Sequence, residues 1–160
     1  MIIRDATRDD LGDVLRLLTE DAIREVAEDL SDLTPYAAAL DEILAAPHCT
    51  VLVGEDAGEV VATAQVTWQR RLMYGAAPVC QVESVRVTSS RRGHGIGAEL
   101  MAWITADACR RGCSRIELTT NAQRIDAQRF YQRLGFTPSH VGMKRYLGGQ
   151  RPTPDQEDTA

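Results

Sequence analysis

Aromatic residues are scarce in this 160-residue chain: two Trp, four Tyr and two Phe, 5% of the whole. Readers of single-stranded nucleic acid stack bases on aromatic platforms beside a basic surface. Here the basic residues are dispersed and the one glycine-rich turn, at 93–97, has no aromatic beside it, so nucleic acid is not an expected partner. No apolar run is long enough to span a bilayer and no signal-peptide pattern opens the sequence, so a cytoplasmic protein without membrane contact is expected. The four cysteines, Cys49, Cys80, Cys109 and Cys113, lack zinc-type spacing. They read as reduced, mostly packed thiols, and no metal is expected. There is no internal repeat.

What is present is ordinary globular composition, 44% hydrophobic and 26% charged, in a length that suits one domain with a real core. That domain is expected over 1–147. Residues 148–160 lack any apolar run and are expected to form a disordered tail. The net charge of −5 hides an asymmetry: residues 1–60 carry a net −11, residues 61–151 a net +9, and the last nine a further −3. Such halves suit ligands of opposite charge, or simply two solvated faces.

The pattern along the chain predicts a short edge strand at 2–4, then a helix introduced by Thr7 and Asp10 in a capping-box-like spacing. Leu11, Val14, Leu15 and Leu18 recur in it at helical spacing. A second helix should start at Thr34-Pro35 and stop before Pro47. Strands at 50–54 and 60–68 flank a hairpin-like connection. After a loop at 70–78, a strand at 79–87 puts Val79, Val85 and Val87 on one alternating face. The longest helix is expected at about 95–111, with Ile96, Leu100, Trp103 and Ile104 as its buried stripe and Gly112 as its cap. A short strand at 115–119, a helix at about 126–134 and a last strand at 143–147 complete the order. This predicts an α/β (α+β) fold, a mixed and mostly antiparallel central sheet of about six strands with helices on both faces.

The segment Val82-Glu83-Ser84-Val85-Arg86-Val87 followed by Arg91-Arg92-Gly93-His94-Gly95-Ile96-Gly97-Ala98 carries the chemistry. It reads as strand, basic glycine-rich turn and helix start. Glycines let a phosphate approach the backbone, the first N–H groups of a helix lack internal partners, and arginine chelates phosphate oxygens. It is not a P-loop, having no Gly-Lys-Ser/Thr ending. Nor is it the dinucleotide fingerprint, since its glycines stand two and two apart.

In these residues the chain resembles the GNAT superfamily of N-acetyltransferases. The family's phosphate signature, Arg/Gln-x-x-Gly-x-Gly/Ala, is matched by Arg92, Gly95 and Gly97, and its later helix and Gly-Phe ending by Ala127-Gln128-Arg129-Phe130-Tyr131-Gln132-Arg133-Leu134-Gly135-Phe136. The resemblance implies a GNAT-like sheet and acetyl-CoA as acyl donor. The coenzyme's pyrophosphate would rest on Arg92, Gly93, His94, Gly95, Ile96, Gly97 and Ala98. Its pantetheine would run along the strand holding Val85 and Val87, with Phe130 and Asn121 as further contacts. Tyr131 matches the family's general acid. Where the family often has an Asn three residues before the helix alanine, contacting the cofactor, this chain has Arg124, and the nearest Asn is Asn121.

Acetyl transfer to an amine needs a base, an oxyanion donor and an acid for the thiolate. Glu83 is the base candidate, being the only acid between Glu59 and Glu99; His140 or a water is the alternative. A backbone N–H of Val85 or Val87 could serve the oxyanion. For the acceptor, the acids Glu20, Asp21, Glu25, Glu28, Asp29 and Asp32 suit a cationic small-molecule or peptide amine, whereas Arg70, Arg71 and Tyr74 suit an amino acid's carboxylate. The competing readings are an acyl-CoA-binding sensor with little turnover, or transfer of another acyl group. A homodimer through residues 143–147 is left open.

Overall fold

The computed structural model describes residues 1–20, 29–145 and 147. In chain order these form β1 (Ile2–Asp5), α1 (Leu11–Thr19), α2 (Thr34–Ala45), β2 (Cys49–Asp56), β3 (Glu59–Arg70), β4 (Pro78–Val87), α3 (Ile96–Arg110), β5 (Ile116–Leu118) and α4 (Ile125–Arg133). Single 3-10 turns precede α1, interrupt the loop before β4 and follow β4 at Ser89–Arg91. The sheet order is β1-β2-β3-β4-β5, antiparallel throughout except that β5 runs parallel to β4. Among the described residues no helix is long and apolar enough to cross a membrane.

The alternation of side chains along the strands splits the core in two. On one face Val14, Leu17 and Leu40 of α1 and α2 pack on Val51, Val53 and Val60. On the other, Leu100, Met101 and Ile104 of α3 pack on Leu52, Ala62, Ala64, Val66, Cys80 and Val82. Trp103 is half-buried at the margin, and Met101 and Ala108 complete the stripe in its place.

Local chemistry sets the boundaries. Asp10 accepts from the Thr7 N–H at 2.7 Å and from its hydroxyl at 2.9 Å, closing the turn that leads into α1. The entry to α2 departs from expectation: Thr34 is already helical, and the Asp32 carboxylate accepts its N–H at 2.9 Å. Between β2 and β3, Ala57 and Gly58 at φ 52° and 84° make the two-residue turn that suits a twisted hairpin.

Two expectations fail. The alternating face of Val79, Val85 and Val87 is broken, because Val85 and Val87 pack with Cys80 and Val82 against the α3 side while Val79 lies outside that cluster. The cause is a bulge in β4. The last strand, expected at 143–147, is not seen among the described residues: 143–145 and 147 have no strand pairing, and the described sheet has five strands where about six were expected. A strand needs a partner, and here Met143 stays 92% exposed. The tail at 148–160 lies outside the described residues.

Candidate active site

Across the bulge, Thr63 opposes Arg86 while Gln65 opposes Glu83, so β4 carries one residue more than β3. The extra step is taken at Ser84, whose φ is 53°. A bulge bends its strand and re-phases the side chains beyond it. It coincides with a parting of strands. β4 pairs with β5 only at Cys80, Gln81 and Val82, then runs on to Val87 with no strand on that side among the described residues. The Thr88 N–H donates to Val61 O on β3 at 2.9 Å, so by alternation the Val87 N–H faces the open side, and that of Val85 with it. The result is a slot with an unpaired backbone edge.

At one end of that slot lies the glycine turn. Gly95 has φ 85° and stands immediately before α3, a left-handed position that a side chain would strain. It aims the free N–H groups of Ile96, Gly97 and Ala98 outward from the helix start. The Arg92 Nε donates to Val87 O at 3.1 Å, tying the turn to the end of β4. The His94 ring turns back on its own loop, with Nδ1 2.9 Å from Arg92 O. Gly97 has a different reason to be glycine. A Cβ there would lie 3.3 Å from Phe130 Cζ and 3.6 Å from Val87 Cγ2, so this is where α3, α4 and β4 meet.

Glu20, grouped by sequence with the acceptor-side acids, braces this turn instead. Its Oε1 accepts from the Ser89 N–H at 3.0 Å and from the Ser89 hydroxyl. Those hydrogen bonds hold its carboxyl below the usual range. No sequence signal joins residues 69 positions apart. Of the other five acids in that group, Asp21, Glu25 and Glu28 lie outside the described residues. Asp29 and Asp32 each accept a backbone N–H two residues on, from Ser31 and Thr34, and so shape the approach to α2.

Tyr131 is set by α4 and its ending. Gly135, at φ 90°, folds the chain back so that the Phe136 N–H donates to Tyr131 O at 3.0 Å. The Tyr131 ring then sits edge-on between Phe130 and Phe136, with centroids 5.1 and 5.8 Å away. Burial pushes its hydroxyl pKa up, and the positive charges of Arg124 and Arg86 oppose that rise. The phenol is therefore protonated at neutral pH. Asn121 uses its side-chain carbonyl to accept the Gln123 N–H at 2.9 Å, shaping the loop into α4.

Glu83 is exposed on β4 beside the bulge, opposite Gln65 and on the face away from Val82. His140 is exposed, its Nδ1 2.8 Å from Ser139 Oγ. The residues assigned to a carboxylate have partners within the protein. Arg71 donates to Glu117 at 2.8 Å, Arg70 to Ala76 O at 3.2 Å, and Tyr74 stacks under Arg115 at 4.5 Å. All four cysteines are free, and burial raises the Cys80 thiol to about 12.

A strand-edge slot between a helix N-terminus and a protonated tyrosine agrees with the family comparison. The model of the acetyltransferase (GNAT) family matches residues 13–136, which include the bulged strand, the turn and α4. The chain belongs to the GNAT family. Among relatives of this GNAT protein, the aminoalkylphosphonate N-acetyltransferase of Salmonella typhimurium is 30% identical over 145 residues, 91% of this chain and 90% of that protein. The aminoglycoside N(6')-acetyltransferase type 1 of Serratia marcescens is 32% identical over 118 residues, 71% of this chain and 81% of that protein. A solved structure from Bacillus halodurans C-125, described as a transcriptional regulator, superposes with a TM-score of 0.85 at 36% identity, over 91% of this chain and 99% of that one.

Proposed function

We propose that this GNAT protein transfers an acetyl group from acetyl-CoA to a primary amine directly, in a ternary complex. The observation that carries this reading is the slot beside β4. Its open backbone edge at Val85 and Val87 runs from the glycine turn toward the Tyr131 side of α4. The residues present fit acetyl-CoA. Ile96, Gly97 and Ala98 offer N–H groups to the pyrophosphate, and the β4 edge offers main-chain hydrogen bonds to the pantetheine amides. Bound there, acetyl-CoA supplies the activated thioester.

The protein supplies the proton handling. Glu83 takes the proton of the incoming amine, an N–H of Val85 or Val87 meets the developing oxyanion, and the nitrogen–carbon bond forms as the carbon–sulfur bond breaks. Tyr131 gives its hydroxyl proton to the departing sulfur. The names of the Salmonella and Serratia relatives support an amine as acceptor. The name of the Bacillus halodurans protein favours a second reading, a coenzyme-binding sensor with little turnover.

Substitution of the acid and the base tests the proposal. Tyr131→Phe should lower kcat by about 100-fold with acetyl-CoA affinity retained, and Glu83→Gln should lower kcat and alter the acid limb of the pH–rate profile. Because burial raises the Tyr131 hydroxyl, wild-type kcat should show no loss of the acid form across the neutral and mildly alkaline range. Unchanged rates in both variants would contradict the mechanism.

A further inference from the structure

Glu20 stands where local helix physics disfavours an acid. It is the residue that ends α1, its N–H donating to Arg16 O at 3.0 Å, so its carboxylate hangs from the negative end of the helix. One of its oxygens, Oε1, accepts from the Ser89 N–H and from the Ser89 hydroxyl. The other, Oε2, is buried and has no hydrogen-bond partner among the described residues. Both features cost stability, and a residue that breaks local rules needs a compensating role.

The compensation lies in what Ser89 does. Ser89 opens the 3-10 turn that links β4 to the glycine turn, so its N–H has no partner within that turn. Thr88, at the capping position, supplies no side-chain cap. Glu20 takes over that task from another element, 69 positions away. Ser89 in turn holds Arg92: its carbonyl accepts the Arg92 N–H at 3.3 Å, while the Arg92 Nε donates to Val87 O at 3.1 Å. The neighbours are pinned separately, the Thr88 N–H by Val61 O at 2.9 Å and Arg91 by Asp56 at 3.8 Å. Ser89 is thus the step between the end of β4 and Arg92, and Glu20 is what fixes it. A carboxylate beside a turn that receives an anion also repels that anion. Its placement helps only if order in the turn outweighs the repulsion, which gives the effect a measurable sign.

We infer that Glu20 is a positioning residue of the donor site: through Ser89 it holds Arg92 and the glycine turn ready for the coenzyme's diphosphate, without itself touching the coenzyme. The inference rests on the reading of this turn as an acetyl-CoA site.

The test is equilibrium binding of acetyl-CoA and of S-acetylpantetheine, which has the thioester arm but no phosphate. The proteins are the wild type, Glu20→Ala, Glu20→Gln and Ser89→Ala, each with a thermal melt alongside. Glu20→Ala should weaken acetyl-CoA binding about tenfold and leave S-acetylpantetheine within about twofold. Glu20→Gln keeps an oxygen that can accept both hydrogens and should recover most of the loss. Ser89→Ala removes the hydroxyl's hydrogen bond alone and should weaken acetyl-CoA by about threefold, so it carries the test if Glu20→Ala fails to fold. Acetyl-CoA binding that is unchanged or tighter in these two alanine variants would overturn the inference, as would an equal loss for both ligands. With the expected ratios found, failure to acetylate any amine would contradict the transfer reading alone. A wild type that binds no acetyl-CoA would overturn both.

Discussion

At Asp10, 6% exposed, a carboxylate is held by four donors: Arg4 Nη1 and Nη2 at 2.7 and 2.9 Å, and the Thr7 N–H and hydroxyl at 2.7 and 2.9 Å. The Arg4 hydrogen bonds, with those from Thr7, keep its carboxyl far below the usual range despite burial. Asp10→Asn should cost about 2 kcal/mol, since it leaves the Arg4 charge short of a partner. The sign follows from the depressed value. The stabilisation is fully present above the unfolded carboxyl's pKa of about 4 and declines as pH falls below it. Thermal melts at pH 7 and pH 3 should therefore show the gap between wild type and variant narrowing in acid; a constant gap would contradict this. The Thr7–Asp10 spacing was legible in the sequence because it is local. Glu20 was not, because its partner Ser89 is brought to it only by the tertiary fold.

Elements with a strong helical period were readable to within about two residues: α3 was expected at 95–111 and spans Ile96–Arg110, and α4 was expected at 126–134 and spans Ile125–Arg133. Apolar stripes and glycine endings fix such boundaries without help from the rest of the chain. The β4 bulge was hidden for the opposite reason. Nothing in Glu83-Ser84-Val85 marks an extra residue; only the register against β3 does, and it moves Val85 and Val87 to the face of Cys80 and Val82. The strand expected at 143–147 has no pairing among the described residues. The junction of α3, α4 and β4 at Gly97 gives a test of the elements' packing. Gly97→Val would drive methyl groups into Phe130, which already lies 3.3 Å from the Cβ position, and should cost about 2 kcal/mol while weakening acetyl-CoA binding. Unchanged melting and unchanged coenzyme affinity would show that the close approach has no consequence.

For the whole molecule, the sheet does one thing for the site: it stays paired along β1 to β4 and comes apart beyond Val82, leaving a backbone edge between a basic, glycine-rich helix start and a half-buried tyrosine. The charge asymmetry of the sequence, −11 before residue 61 and +9 to residue 151, shows up partly as structure. Glu20, Asp29 and Asp32 serve turns, and Arg71 and Arg115 share Glu117. We propose that this slot moves acetyl groups to amines. It is tested most directly by incubating the purified chain with acetyl-CoA and a panel of amines, following both thiol release and the mass of the products. Thiol and an acceptor about 42 Da heavier, the mass of acetyl replacing hydrogen, should appear in equal amounts, and both should fall together by about 100-fold in Tyr131→Phe. Tight binding of acetyl-CoA with no acetylated product from any amine would contradict it.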